Sequence, residues 1–124
     1  LAMAALHDLP EALTTDIPTP AWRYLPPGIK TEVERGAMQE MLGETELAPA
    51  FMDLWEELHA AQTPEAKLVH DADKLEMFLQ AMVYEKQTGN QQLEEFWKRP
   101  YTFNTPHAQA IYDKLVTQRQ FGPQ

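Results

Sequence analysis

His7-Asp8-Leu9-Pro10-Glu11, followed by Asp16, gathers one imidazole and three carboxylates into a short stretch of chain. Adjacent His and Asp offer a nitrogen and an oxygen ligand from a single point, a pair suited to Zn, Mn, Fe or Co. Glu11 stands four residues after His7, which on a regular helix is the same face, although Pro10 bends the path. A carboxylate close to a metal and its water can act as general base or orient that water. The competing reading is structural, with His7 at a helix C-terminus and Asp8 capping the next helix.

A second cluster is His70-Asp71-Ala72-Asp73-Lys74-Leu75-Glu76. On a helix Asp71 and Asp73 lie about 200° apart and cannot both face one site. Asp73 shares a side with Glu76 and Gln80 and borders an apolar stripe at Ala72, Leu75 and Leu79. A carboxylate at that margin needs a metal or a Lys, because burying it unpaired is costly. A solvated face is the alternative. His59, His70 and His107 read as surface or boundary histidines, and Glu56-Glu57 and Glu94-Glu95 as solvated faces. Trp55, Phe78 and Trp97 read as core. Trp22-Arg23-Tyr24 suits either a cover for substrate or a loop anchored by its own aromatics.

The elements that must position these groups are helical nearly throughout. Leu1 to His7 is Ala/Leu-rich. Pro10 interrupts it and suits the first position of a short continuation over Glu11 to Thr15. Ile17 to Gly28, with Pro18, Pro20, Pro26 and Pro27, reads as a rigid irregular loop. Helices then follow over Thr31 to Leu42, Pro49 to Ala61 and Pro64 to Thr88, the last opened by Thr63-Pro64 and closed by Gly89-Asn90. Its stripe is expected at Leu68, Ala72, Leu75, Leu79, Met82 and Val83. A short piece spans Leu93 to Trp97, Thr105-Pro106 opens a final helix, and Phe121 to Gln124 reads as a frayed tail. No stretch alternates as a strand. The expected class is all-α, with residues 1–124 forming a single domain.

Composition narrows the function. The 124 residues carry 19 acidic against 10 basic side chains, a net charge of −9. Such a surface repels a nucleic-acid polymer, yet a metal can still hold one small phosphate compound. With no cysteine, disulfides and thiolate sites are excluded, and a transition-metal site must use His and carboxylates. No apolar run reaches the 18 or so residues of a membrane span, and no signal peptide is visible. A cytoplasmic location is expected.

Taken together, His7-Asp8-x-x-Glu11, the Asp16-Ile17-Pro18-Thr19-Pro20 loop and Asp71-Ala72-Asp73-Lys74-Leu75-Glu76-Met77 resemble the HD-domain metal-dependent phosphohydrolases. The closer likeness is to the branch containing 5′-deoxynucleotidases and the HD-domain-containing protein 2 group. The resemblance covers essentially all 124 residues and implies an HD-domain-like helical bundle. It implies that His7, Asp8 and Asp73 ligate a divalent ion (Mn, Co, Fe, Zn or Mg), and that Glu11 is the catalytic carboxylate beside the metal-bound water. Asp16 matches the acidic residue that helps place the nucleotide sugar. The implied reaction is hydrolysis of the 5′-phosphate of a deoxynucleoside monophosphate. Pairing into a homodimer is common in that family.

The family takes a first His from an earlier helix, and residues 1–6 hold none. The expectation is that the N-terminal helices are missing, some five to six helices being present, and that the chain is the C-terminal two-thirds or so of an HD domain. Two alternatives stand beside the hydrolase. One is a non-catalytic HD-fold interaction module with an incomplete metal site, and the other is an HD hydrolase acting on another phosphorylated nucleotide.

Overall fold

In the computed structural model, which describes residues 1–122 apart from the side chains of Thr19 and Pro20, Pro26-Pro27-Gly28-Ile29 forms a type II turn. Pro27 presets the first corner, and Gly28 takes the left-handed φ of +79° that the second requires. The Ile29 amide closes the turn on the Pro26 carbonyl at 3.2 Å. The turn launches a helix, and helices are the only regular elements among the described residues. The chain is all-α, as expected.

It forms two compact units, Leu1–Ala60 and Ala61–Gln124. The first contains α1 (Ala2–Leu6), α2 (Glu11–Thr14), α3 (Thr19–Trp22), α4 (Ile29–Leu42) and α5 (Ala48–Ala60). Helix α1 packs on α5, α2 on α4, and α4 on α5. Met38, Leu42 and Trp55 form the buried centre, with Leu9, Phe51 and Met52 packed against it. Trp55 and Met38 have no exposed surface. Truncating a core Trp to Ala costs about 3–5 kcal/mol, so this cluster is what holds α4 on α5. Within the loop expected to be irregular, one helical turn forms as α3. Pro18 sits extended at its N-cap and Pro20 lies in its first turn, where a fixed φ suits a helix start.

The second unit contains α6 (Pro64–Thr88), a 3₁₀ segment (Gln91–Trp97) and α7 (Pro106–Phe121). Thr63 caps α6 by accepting from the Ala66 amide, and Gly89 ends it with a left-handed φ of 67°. Helix α6 packs on α7 and on the 3₁₀ segment. Phe78, Phe103, Ala108 and Tyr112 form the core, with Leu75, Trp97 and Tyr101 against it.

The face of α6 that is buried differs from the expected stripe. Leu68 is 60% exposed and Leu79 48%, and Ala72 is exposed too. The buried positions include Asp71, Phe78, Ala81 and Met82. The aromatic rings of the second half of the unit decide the rotation. Phe78 meets Trp97, Tyr101, Phe103 and Tyr112 with ring centroids 4.9–6.4 Å apart, geometry that favours tilted and edge-on pairs. That cluster outweighs the aliphatic stripe. Helix α7 continues through Phe121, further than expected, while Pro123 and Gln124 lie outside the described residues. No helix among them is long and apolar enough to cross a membrane.

Candidate metal centre

The first unit places four of the five sequence-predicted site residues around α1 and α2. Helix α1 buries Met3 and Leu6, and His7 follows as its C-cap. His7 Nδ1 is 2.5 Å from the Ala4 carbonyl oxygen. A carbonyl only accepts, which assigns a proton to Nδ1. Nε2 in turn lies 3.1 Å from Asp8 Oδ2. An imidazolium there donates from Nε2 to the carboxylate, whereas a neutral ring would offer Nε2 and Oδ2 side by side to a cation. The Nδ1–carbonyl bond also orients the ring in the way that outer-shell partners orient metal-bound histidines. The donor set therefore fits a divalent ion of the borderline class.

The chain then turns through Leu9 to Pro10, whose ring is fully buried. The Glu11 amide reaches the Asp8 carbonyl at 3.0 Å, which sets Glu11 in the first turn of α2. Its carboxyl is half-buried, and its pKa is raised. Partial burial is the main cause, and the fields of Asp8, Asp16 and Glu34 add to it against the opposing charge of Lys30. The sequence pattern did not reveal that Lys30 and Glu34 of α4 face Glu11, because the approach depends on α2 packing on α4. Thr15 closes α2 with φ 60° and ψ 170°, a conformation costly for a side chain with a β-branch. Asp16 follows directly and is exposed.

In the second unit α6 carries both candidate aspartates, with opposite fates. Asp73 is exposed. Asp71 is 1% exposed and accepts from the amide and side chain of both Asn104 and Thr105 at 2.8–3.0 Å. Burial alone would raise the Asp71 carboxyl. The four donors outweigh it and hold the pKa below the ordinary aspartate value. All of this keeps Asp71 as the anchor for the loop that leads into α7. The only sequence signal for that role was Asn104-Thr105-Pro106, whose cap was legible and whose long-range acceptor was not.

Of the remaining histidines, His59 stacks on Trp55 at 3.9 Å and reaches Glu34 at 3.3 Å, which makes it a boundary residue. Glu56 is more than a solvated face, since its carboxylate takes Arg35 at 2.6 and 3.2 Å.

A family model described as HD domain matches residues 1–112. The chain belongs to the HD domain family. Among curated proteins this HD domain is 37% identical to the 5'-deoxynucleotidase HDDC2 of Danio rerio over 123 residues, which is 96% of this chain and 60% of the relative. It is 40% identical to the protein of the same name in Dictyostelium discoideum over 89 residues, 70% of this chain and 46% of the relative. The Homo sapiens protein of that name is 31% identical over 121 residues, 94% and 58% of the two chains. The HD domain thus spans about half to three-fifths of the length of these relatives. No solved structure matches it.

Proposed function

We propose that this HD domain is part of a divalent-metal-dependent phosphohydrolase that removes the 5′-phosphate of deoxynucleoside monophosphates. The observation that carries the reading is the His7–Asp8 pair, whose Nε2 and Oδ2 stand side by side 3.1 Å apart, in a chain similar to proteins named 5'-deoxynucleotidase. Asp73 joins that pair in the proposal because it stands where the resemblance of Asp71-Ala72-Asp73-Lys74-Leu75-Glu76-Met77 to the HD-domain family places the final ligand. The reading treats residues 1–124 as one functional domain.

A divalent ion held there supplies a Lewis acid for a phosphate oxygen and acidifies a water. The chain's own contribution is Glu11. Its raised carboxyl accepts the proton of the attacking water, the work of a general base whose pKa lies nearer neutrality than an ordinary carboxylate. Asp16, exposed at the mouth of the α2–α3 loop, accepts a hydroxyl of the sugar and fixes the nucleoside end. The net charge of −9 keeps nucleic-acid polymers away and leaves a free mononucleotide as substrate. A cytoplasmic setting and pairing with a second copy belong to the same reading.

The test is phosphate release by the full protein from deoxynucleoside 5′-monophosphates with Mn²⁺ or Co²⁺, before and after chelation. Release that the chelator abolishes is expected. An intact, metal-loaded protein that releases no phosphate from these substrates would instead point to the interaction module, and release only from other phosphorylated nucleotides to the third reading.

A further inference from the structure

Between α2 and α4 the chain makes almost no use of the core. Among the described side chains of residues 15–29 none is buried. The segment nevertheless has one definite path, and two contacts set it. The Trp22 indole donates from Nε1 to the Ile17 carbonyl at 2.6 Å. The Lys30 ammonium stands 3.9 Å from the centroid of the Trp22 ring, a cation–π contact. Lys30 is itself held by Glu34 one helical turn along α4, at 3.6 Å. A continuous line of contacts therefore runs from Glu34 through Lys30 and Trp22 to the carbonyl of Ile17, the residue after Asp16. On its other side Asp16 follows Thr15, whose left-handed backbone fixes the exit from α2.

We propose that Trp22 and Lys30 are positioning residues for substrate: together they set Asp16 where it meets the sugar of the nucleotide. This rests on the phosphohydrolase reading and on the role given there to Asp16. Trp22 stands apart from the proton transfer, whereas Lys30 also faces Glu11, so the positioning role of the pair is read from substrate affinity and sugar discrimination, with the metal left in place. Trp22 thereby anchors its own loop, and its ring serves the site through Asp16.

The variants are Lys30→Met, which removes the charge over the ring, and Trp22→Phe, which keeps a ring face but removes the indole N–H. Each is assayed in the full protein with Co²⁺ on deoxyadenosine 5′-monophosphate and its ribo counterpart. Each is expected to raise KM for the deoxy substrate about fivefold, the scale of one exposed hydrogen bond, and to narrow the deoxy-to-ribo ratio of kcat/KM. Metal content should not change, and Lys30→Arg should restore KM. Amide hydrogen exchange over residues 15–25 should quicken in both variants, a readout that needs no activity. A wild-type protein without phosphatase activity refutes the functional reading and this inference with it. An active wild type whose variants keep KM, the sugar ratio and the exchange rates overturns the inference alone. So does a fall in kcat with KM and the ratio unchanged, which is the mark of a merely structural pair.

Discussion

Asp71 Oδ2 accepts two hydrogen bonds from Thr105, from its amide and from its hydroxyl, both at 2.8 Å. Asn104 occupies Oδ1 in the same way, with its amide and side-chain nitrogen each at 3.0 Å. A buried carboxylate is tolerated in α6 because every donor of the approaching loop is aimed at it. Removing the acceptor strands those donors. Asp71→Ala should destabilise the protein by ~3 kcal/mol or more, and Asp71→Asn by less than Ala, since one carbonyl oxygen survives. Urea unfolding monitored by circular dichroism measures both. A loss below about 1 kcal/mol in the Ala variant would remove Asp71 from the role of anchor.

The same carboxyl gives the stability a pH dependence of known sign. Its pKa in the folded protein lies below the ordinary aspartate value. The unfolded chain therefore takes up the proton first as pH falls, and unfolding gains on folding through that interval. The contribution is complete above the unfolded pKa and is lost as pH drops through the folded one. Wild-type stability should fall more steeply than that of Asp71→Asn below about pH 4, the ordinary aspartate value. Parallel curves for the two proteins would exclude Asp71 as the source.

Thr63 and Thr105 occupy equivalent places, each an N-cap followed by proline, yet they should respond unequally to alanine. Thr63 accepts only from the Ala66 amide, at 3.2 Å. Thr105 accepts from the Ala108 amide at 3.3 Å and also donates to Asp71. Thr63→Ala should cost ~1 kcal/mol, the usual value of a cap. Thr105→Ala adds a lost charge-assisted bond of ~1.5 kcal/mol or more. In the Asp71→Ala background the two alanine variants should become similar, which a double-mutant cycle reads directly.

This difference between two like caps shows what the sequence could and could not reveal. Caps, proline starts and glycine stops are local, so Thr63-Pro64, Gly89 and Thr105-Pro106 mark helix ends on sight. The His7-Asp8-x-x-Glu11 group is likewise local, because a turn of chain brings its members near one another. The buried face of α6 is not local. Its aliphatic stripe was readable by spacing, but the rings around Phe78 come from three separate segments, and their joint packing turned another face inward. Asp71 was displaced from view for the same reason: its four donors lie 33 and 34 residues away. The neighbours of Glu11 on α4 were hidden as well, since only the packing of α2 on α4 brings them close.

Asp73 offers the contrast to Asp71 two positions away. It is exposed, so Asp73→Ala should leave the unfolding midpoint nearly unchanged, within about 0.5 kcal/mol. As a proposed ligand it should nevertheless take metal and phosphatase activity with it. Metal content by mass spectrometry after dialysis, set beside the unfolding curve, separates the two effects. Retained metal-dependent activity in Asp73→Ala would remove it from the ligand set.

Glu11 makes the sharpest demand on the mechanism, because Glu11→Gln keeps the size and most of the hydrogen-bonding capacity of the side chain. Only the ability to accept a proton is lost. A general base contributes about 10²- to 10⁴-fold to rate, so kcat should fall by at least two orders of magnitude while metal content and KM stay close to wild type. Removing a half-buried carboxyl whose charge is disfavoured by its own burial and by Asp8 and Asp16 should not destabilise the fold, and a small gain is expected once pH rises past the raised range of that carboxyl. Stopped metal binding in Glu11→Gln would make the residue a structural support of the His7–Asp8 pair. Near-wild-type kcat would require another group to take the proton.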